Sequence, residues 1–384
     1  MNKGISKIAV TIGGGYVPGL NAVIKGTALA AAKLSWEVIG IRDGFDGMLY
    51  PERYPEGGQI KITPHIMEHL ADSKGCILGT AARSDPFHVR TINADNIIEE
   101  VDRSDELLDT LKKEKIDAVI SVVGTRALSI LWKLSRKGLK TVCIPKSVEN
   151  DVEATILSFG FNSTLQFVTE MLYRSLEAAR SSNRIGVVEV PGLHSGWLAL
   201  QSGMAVCADA ILIPELKYDI QKVAGKLERK LRTAGHYGLV VVAEGAKPVH
   251  RHAKPMVSDE KMKASLSPGA TGDESEFVIE QTGQAAKEVA QGIQRLTSLE
   301  AYPMVIGPWA RSGSPSVTDL QLGLGYGAAA VRALSEDQNG VMVIFQPPDL
   351  RYVPIAEAIN KYRTLPLDCE FVQIARALDI SLGD

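Results

Sequence analysis

The chain has 384 residues, 45% of them apolar, with 42 basic against 45 acidic side chains and a net charge of −3. That length suits two domains or one large α/β unit, and the apolar share excludes a disordered chain. The near balance of charge gives no reason to expect a nucleic acid or an anionic membrane surface as partner. The N-terminal stretch MNKGISKIAVTIGGG runs straight into strand-like sequence with no apolar signal segment. No apolar run reaches the roughly 18 residues of a membrane span. Cys76, Cys143, Cys207 and Cys369 form no C-x-x-C pair, which sets aside zinc ribbons and thioredoxin chemistry. A reducing cytoplasmic location is expected.

In chain order, short aliphatic runs alternate with helical patterns. Lys7–Ile12 (KIAVTI) reads as a strand, Pro18–Lys33 as an alanine-rich helix and Glu37–Ile41 as a second strand. His65 and His69 share a helix face at i, i+4, but no third ligand accompanies them, so no metal site is read there. Asp105–Lys113 reads as helix, Ala118–Val123 as strand, Leu128–Leu134 as helix and Thr141–Ile144 as strand. A long helix over Phe161–Arg180 precedes strands at Arg184–Val190 and Gly238–Glu244. Val249–Glu276 lacks apolar periodicity and reads as surface chain. Continuous apolar strands alternating with helices predict βαβ units and a mostly parallel sheet buried on both faces.

Glycine-rich loops follow several of these strands. Thr11–Asn21 reads TIGGGYVPGLN, a strand–loop–helix junction whose backbone amides suit an anion. Pro18 stands where a dinucleotide fingerprint needs its third glycine, and the Gly-Lys-Ser/Thr ending of a Walker loop is missing. Further segments read GCILGTAARSDPF from Gly75, SVVGT from Ser121, PKSVEND from Pro145 and SFGFNST from Ser158. RIGVVEVPGLHSGWLA starts at Arg184, VAEGA at Val242 and IGPWARSGSPSVTD at Ile306. Loops that follow parallel strands gather at the carboxyl edge of the sheet, where ligands bind.

In this order the segments resemble the phosphofructokinase family, from about Lys7 to about Val331. That family phosphorylates fructose 6-phosphate on O1 with ATP or pyrophosphate. Its motifs read GGGxxPGLN, GGDGT or GGDDT, PKTIDND, TFGFxTA, EVMGRxxGxLA, EGA and GxxQRGGxPSxxDR. The resemblance implies a phosphofructokinase-like α/β fold of two domains, each with a mostly parallel sheet flanked by helices. A phosphate-donor domain is expected over residues 1–159 plus 307–337, and a sugar-phosphate domain over 160–306 plus 338–384. It also implies a homodimer or homotetramer sharing its sugar pocket between subunits.

By the same resemblance, Gly14, Gly15, Arg83, Gly124, Thr125 and Lys146 belong to the phosphate-donor loops. Arg83 lies in a loop one residue longer than the family's. Gly124 follows the ATP-type pattern and Lys146 the pattern of pyrophosphate enzymes and some ATP enzymes, so the donor stays open. Ser147, Arg184, Gly192, Glu244 and Arg311 fall on sugar-phosphate positions, Arg184 on one that reaches in from a neighbouring subunit. Glu149 and Asp151 fall on the catalytic aspartates of TIDND, with Glu149 as the base.

The departures fall on the chemistry. Val123 stands where the family's aspartate binds the magnesium that bridges the phosphates, and valine offers a hard cation no oxygen. Its plain structural role is an apolar strand end that packs. Glu149 carries its carboxylate one methylene further out than aspartate, and general-base catalysis tolerates little misplacement. Pro308 replaces a histidine, Tyr302 an arginine, Pro191 a methionine and Leu193 an arginine of the sugar-phosphate pocket.

Three functions fit. The first is a catalytically impaired or regulatory member that binds a phosphorylated ligand, alone or beside a catalytic paralogue. The second is an active phosphotransferase with Glu149 as base, using Mg2+ with ATP or pyrophosphate. The third is a scaffold protein without a ligand, disfavoured by the retained Asp151, Arg184, Glu244 and Arg311. His194, in GLHSG, could face a ligand. His236, His250 and His252 read as solvated loop residues.

Overall fold

The structure is a computed structural model that describes residues 4–70, 75–81, 84–92, 98–233, 235–250 and 283–384. Its strands are β1 (Lys7–Ile12), β2 (Glu37–Ile41), β3 (Gln59–Lys61), β4 (Val89–Ile92), β5 (Ile98–Val101), β6 (Ala118–Val123) and β7 (Thr141–Pro145). They continue as β8 (Ile185–Val190), β9 (Ala210–Leu212), β10 (Gly238–Ala243), β11 (Ala301–Val305), β12 (Val341–Gln346) and β13 (Asp349–Pro354). The chain divides into two compact units, Met1–Ser163 with Gly313–Arg363, and Thr164–Ser312 with Thr364–Asp384.

The first unit is built on a seven-stranded sheet in the order β13-β12-β7-β6-β1-β2-β3. The inner five strands run parallel, and β3 and β13 close the edges antiparallel. β1, β6 and β7 are buried almost throughout, which is why their sequences read as unbroken apolar runs. From β1 the chain moves outward to β2 and β3, then returns to lay β6, β7 and β12 on the other side. The order therefore reverses between β1 and β6, and the loops leaving their carboxyl ends lie where open α/β sheets bind ligands.

Helices Leu20–Lys33 and Val317–Ser335 pack closely within this unit. A Cβ on Gly26 would fall 2.3 Å from the Leu324 carbonyl oxygen, and one on Gly327 would fall 2.4 Å from that of Val23. Glycine is required at both because the backbones themselves touch. The unit ends later than the sequence suggested. Residues 338–363, expected in the second domain, belong to the first, because β12 pairs with β7 through Val341↔Val142 and Met342↔Cys143. β13 then extends the same sheet.

The second unit carries a four-stranded parallel sheet in the order β11-β8-β10-β9. Helices Ile220–Thr233 and Gln284–Leu296 pack on it through Val223, Leu227, Val289 and Ile293. Helix Phe161–Ser182 leads into β8. His65 and His69 lie on helix Pro64–His69 with ring centroids 4.8 Å apart. Among the described residues, no helix is long and apolar enough to cross a membrane. His252 and most of the surface segment read from Val249 lie outside the described residues, as does Arg83.

Candidate phosphate site and the residues around it

The reversal point of the first sheet carries the glycine loop. Gly13 N donates to the Val122 carbonyl at 3.0 Å and Gly14 N to that of Ala81 at 2.9 Å, so the loop is held from both sides. Gly14 has φ 78°, and a Cβ there would fall 3.2 Å from Lys146 Nζ. Any other residue would be strained and would crowd that ammonium. Lys146 directly follows β7 and is 4% exposed. Its backbone N donates to the Val123 carbonyl at 2.9 Å, and its Nζ donates to the Gly15 carbonyl at 2.6 Å. The side chain thus reaches from the end of β7 into the loop after β1.

Beside the loop begins helix Thr125–Arg136, with Gly124 at its N-cap and no side-chain cap. The first amides of a helix lack intrahelical partners, and its dipole is positive at that end. The first turn lies against the loop: a Cβ on Gly13 would be 3.7 Å from Ala127 Cβ. Thr125 Oγ1 is buried with no hydrogen-bond partner among the described residues. Glycine backbone, helix start, hydroxyl and ammonium together suit a phosphate group.

Val123, the last residue of β6, is 1% exposed. It packs in an apolar cluster with Ala9, Ile41, Leu128, Cys143 and Ile344, and a Cβ on Gly13 would lie 3.2 Å from its Cγ1. Magnesium takes oxygen ligands, and this position supplies two methyl groups. Among the described residues, no group of three His, Cys, Asp or Glu side chains is placed to hold a metal. The residues present do not fit a protein-held Mg2+ at position 123.

The segment after β7 is polar and ordered. Ser147 Oγ donates to Asp151 Oδ1 and accepts from Glu149 N at 3.0 Å. Asn150 adopts φ 58°, a left-handed conformation that asparagine tolerates. Its Oδ1 accepts from Ser158 N at 2.8 Å and its Nδ2 donates to the Ile156 carbonyl at 3.1 Å. Arg363 N donates to the Asp151 carbonyl at 2.8 Å. Glu149 is 7% exposed. Behind the segment, Asp319 is fully buried and accepts from Gly160 N and from both Ser163 N and Oγ. Burial raises its pKa, and those donors pull it back down.

In the second unit, Gly192, Glu244 and Arg311 follow β8, β10 and β11. Gly192 has φ 150°, a Cβ there would strike the Ser195 carbonyl at 2.7 Å, and its own carbonyl accepts from Gly245 N at 3.0 Å. Arg184 sits instead at the amino end of β8, where Nε donates to Glu300 Oε2 at 2.6 Å. A strand of this length separates it from Gly192 by roughly 20 Å. Tyr302, a half-buried residue of β11, has a buried hydroxyl without a partner among the described residues. Burial raises its pKa, and Arg184 opposes that.

A family model described as phosphofructokinase matches residues 7–334. The chain belongs to the phosphofructokinase family. It is 34% identical to the ATP-dependent 6-phosphofructokinase of Chloroflexus aurantiacus, over 98% of each chain. It is 32% identical to ATP-dependent 6-phosphofructokinase 2 of Clostridium perfringens, over the whole of each chain. Its fold resembles the pyrophosphate-dependent phosphofructokinase of Marinobacter aquaeolei with a TM-score of 0.73 at 18% identity, covering 98% of this chain and 91% of that one.

Among the positions singled out by the phosphofructokinase motifs, Gly14, Gly15, Gly124, Thr125 and Lys146 come together at the reversal point. Ser147, Glu149 and Asp151 form the adjoining loop. Arg184 stands apart from Gly192, Glu244 and Arg311, at the opposite end of its strand. Sequence reasoning missed Asn150 and Asp319, which lock this region. It also missed Glu189, whose Oε2 accepts from Ala286 N at 3.0 Å at the start of helix Gln284–Leu296. The signal available for Asn150 was its residue type, which favours left-handed turns.

Proposed function

We propose that this phosphofructokinase-family chain binds a phosphorylated ligand at the glycine loop and Lys146 of its first unit, and that it is catalytically impaired or regulatory. The observation that carries this reading is Val123. Its side chain is buried in core at the position where the resemblance expects a metal-binding aspartate. Loss of that ligand removes the protein's hold on the ion that neutralises charge in phosphoryl transfer. The retained loop, the helix start and Lys146 support continued phosphate binding. If Arg184 keeps the role its position implies, its distance from Gly192 along β8 supports a sugar pocket completed by another copy, in a homodimer or homotetramer. A catalytic paralogue is the other partner that a regulatory chain would take.

One observation favours a second reading, an active phosphotransferase. Glu149 and Asp151 keep both carboxylates in an ordered loop, so Glu149 could take the proton of a sugar hydroxyl. The names of the curated relatives favour ATP as its donor. The deciding assay is transfer to fructose 6-phosphate in excess Mg2+, with ATP and then with pyrophosphate. No turnover from folded protein is expected. Turnover that Glu149→Ala abolishes would replace the first reading with the second.

A further inference from the structure

We propose that the phosphate site of the first unit takes a metal-free phosphate or pyrophosphate group, with the Lys146 ammonium supplying the positive charge that a divalent cation would bring. This rests on the reading of the glycine loop as a phosphate site.

Two observations point the same way. Val123 fills the end of β6 with methyl groups against Gly13, so the side chain at that strand end supplies no oxygen to a cation. Lys146 meanwhile brings its Nζ to the Gly15 carbonyl, next to the space that Gly14 keeps open by lacking a Cβ. An ammonium is a compact cation with three donors, suited to phosphate oxygens as a point charge. The start of helix Thr125–Arg136 adds its dipole without needing a metal. Burial pushes the Cys76 thiol, whose titration Lys146 influences, up to about 11, so at neutral pH it adds no opposing charge.

Metal-free and metal-bound pyrophosphate differ in charge, and a site built on one ammonium prefers the former. The test is calorimetric titration of pyrophosphate into the full chain, once with EDTA and once with excess Mg2+. Affinity in EDTA is expected to equal or exceed that in Mg2+. Lys146→Met should weaken the EDTA binding at least about tenfold, the loss expected for one charge-assisted contact. Binding that falls more than about tenfold on removing Mg2+ overturns the inference. So does a folded Lys146→Met variant that binds as well as the parent. If that variant does not fold, the EDTA and Mg2+ titrations of the unaltered chain decide alone. Absence of binding in both conditions sinks the phosphate-site reading itself.

Discussion

β6 and β7 lie side by side, paired from Val119↔Thr141 to Val123↔Pro145, yet they end in opposite ways. β6 ends in Val123, an apolar side chain absorbed into the core. β7 leads into Lys146 and a loop where Ser147 bonds Asp151 and Asn150 bonds the backbone. The second end is held by hydrogen bonds between Ser147 and Asp151 and between Asn150 and both Ile156 and Ser158, none of which involves Val123. On the function proposed above, a strand end without a metal ligand sits beside one that keeps a polar, hydrogen-bonded loop, so that phosphate binding would not require the metal.

The sharpest way to break this comparison is Val123→Asp, which buries a carboxylate in the cluster. It should cost about 4 kcal/mol in urea unfolding without metal. A loss under about 1 kcal/mol would mean that the position is not sealed. Combined with Glu149→Asp, the same change should raise phosphoryl transfer in Mg2+ if the scaffold is sound; no gain means that the rest of the pocket has diverged. Asp319→Ala comes next. It strands the donors of Gly160 and Ser163 and should cost about 3 kcal/mol, read from the unfolding midpoint. Asn150→Ala removes two loop bonds and leaves alanine at φ 58°, for about 2 kcal/mol. Asn150→Gly should lose less, and equal losses would show that the backbone conformation contributes nothing. The smallest effect needs no mutation. With its thiol pushed up to about 11, Cys76 should alkylate slowly at pH 8, at a rate rising about tenfold per pH unit. Fast labelling of Cys76 at pH 8 would show that the thiol is not held in the buried environment that raises its pKa.

The parallel strands were legible because burial on both faces writes them as unbroken apolar runs, as in AVISVV and KIAVTI. The loops were legible because glycine at Gly14 and Gly192 records a backbone that no other residue adopts easily. β12 went unread although VMVIFQ is the same kind of unbroken apolar run; what no local pattern shows is that it joins β7, some 200 residues earlier, rather than the second sheet. The turn of Lys146 into the β1 loop was invisible for the same reason. It spans 131 residues and exists only once β1 and β7 share a sheet. Glu189 reads as one more residue of a strand, and only the distant arrival of Ala286 makes it a cap.

The close helix pair at Gly26 and Gly327 has a consequence for synthesis on the ribosome. Within this chain β1 to β7 precede residues 164–312 of the second unit, and helix Val317–Ser335, β12 and β13 follow them. Until then the nascent chain displays β7 as an open sheet edge and the glycine face of helix Leu20–Lys33 bare, the kind of surface that invites premature pairing. The second unit is threaded almost whole within that interval and can mature first. The sheet begun by β1 is thus completed only after most of the second unit has been made.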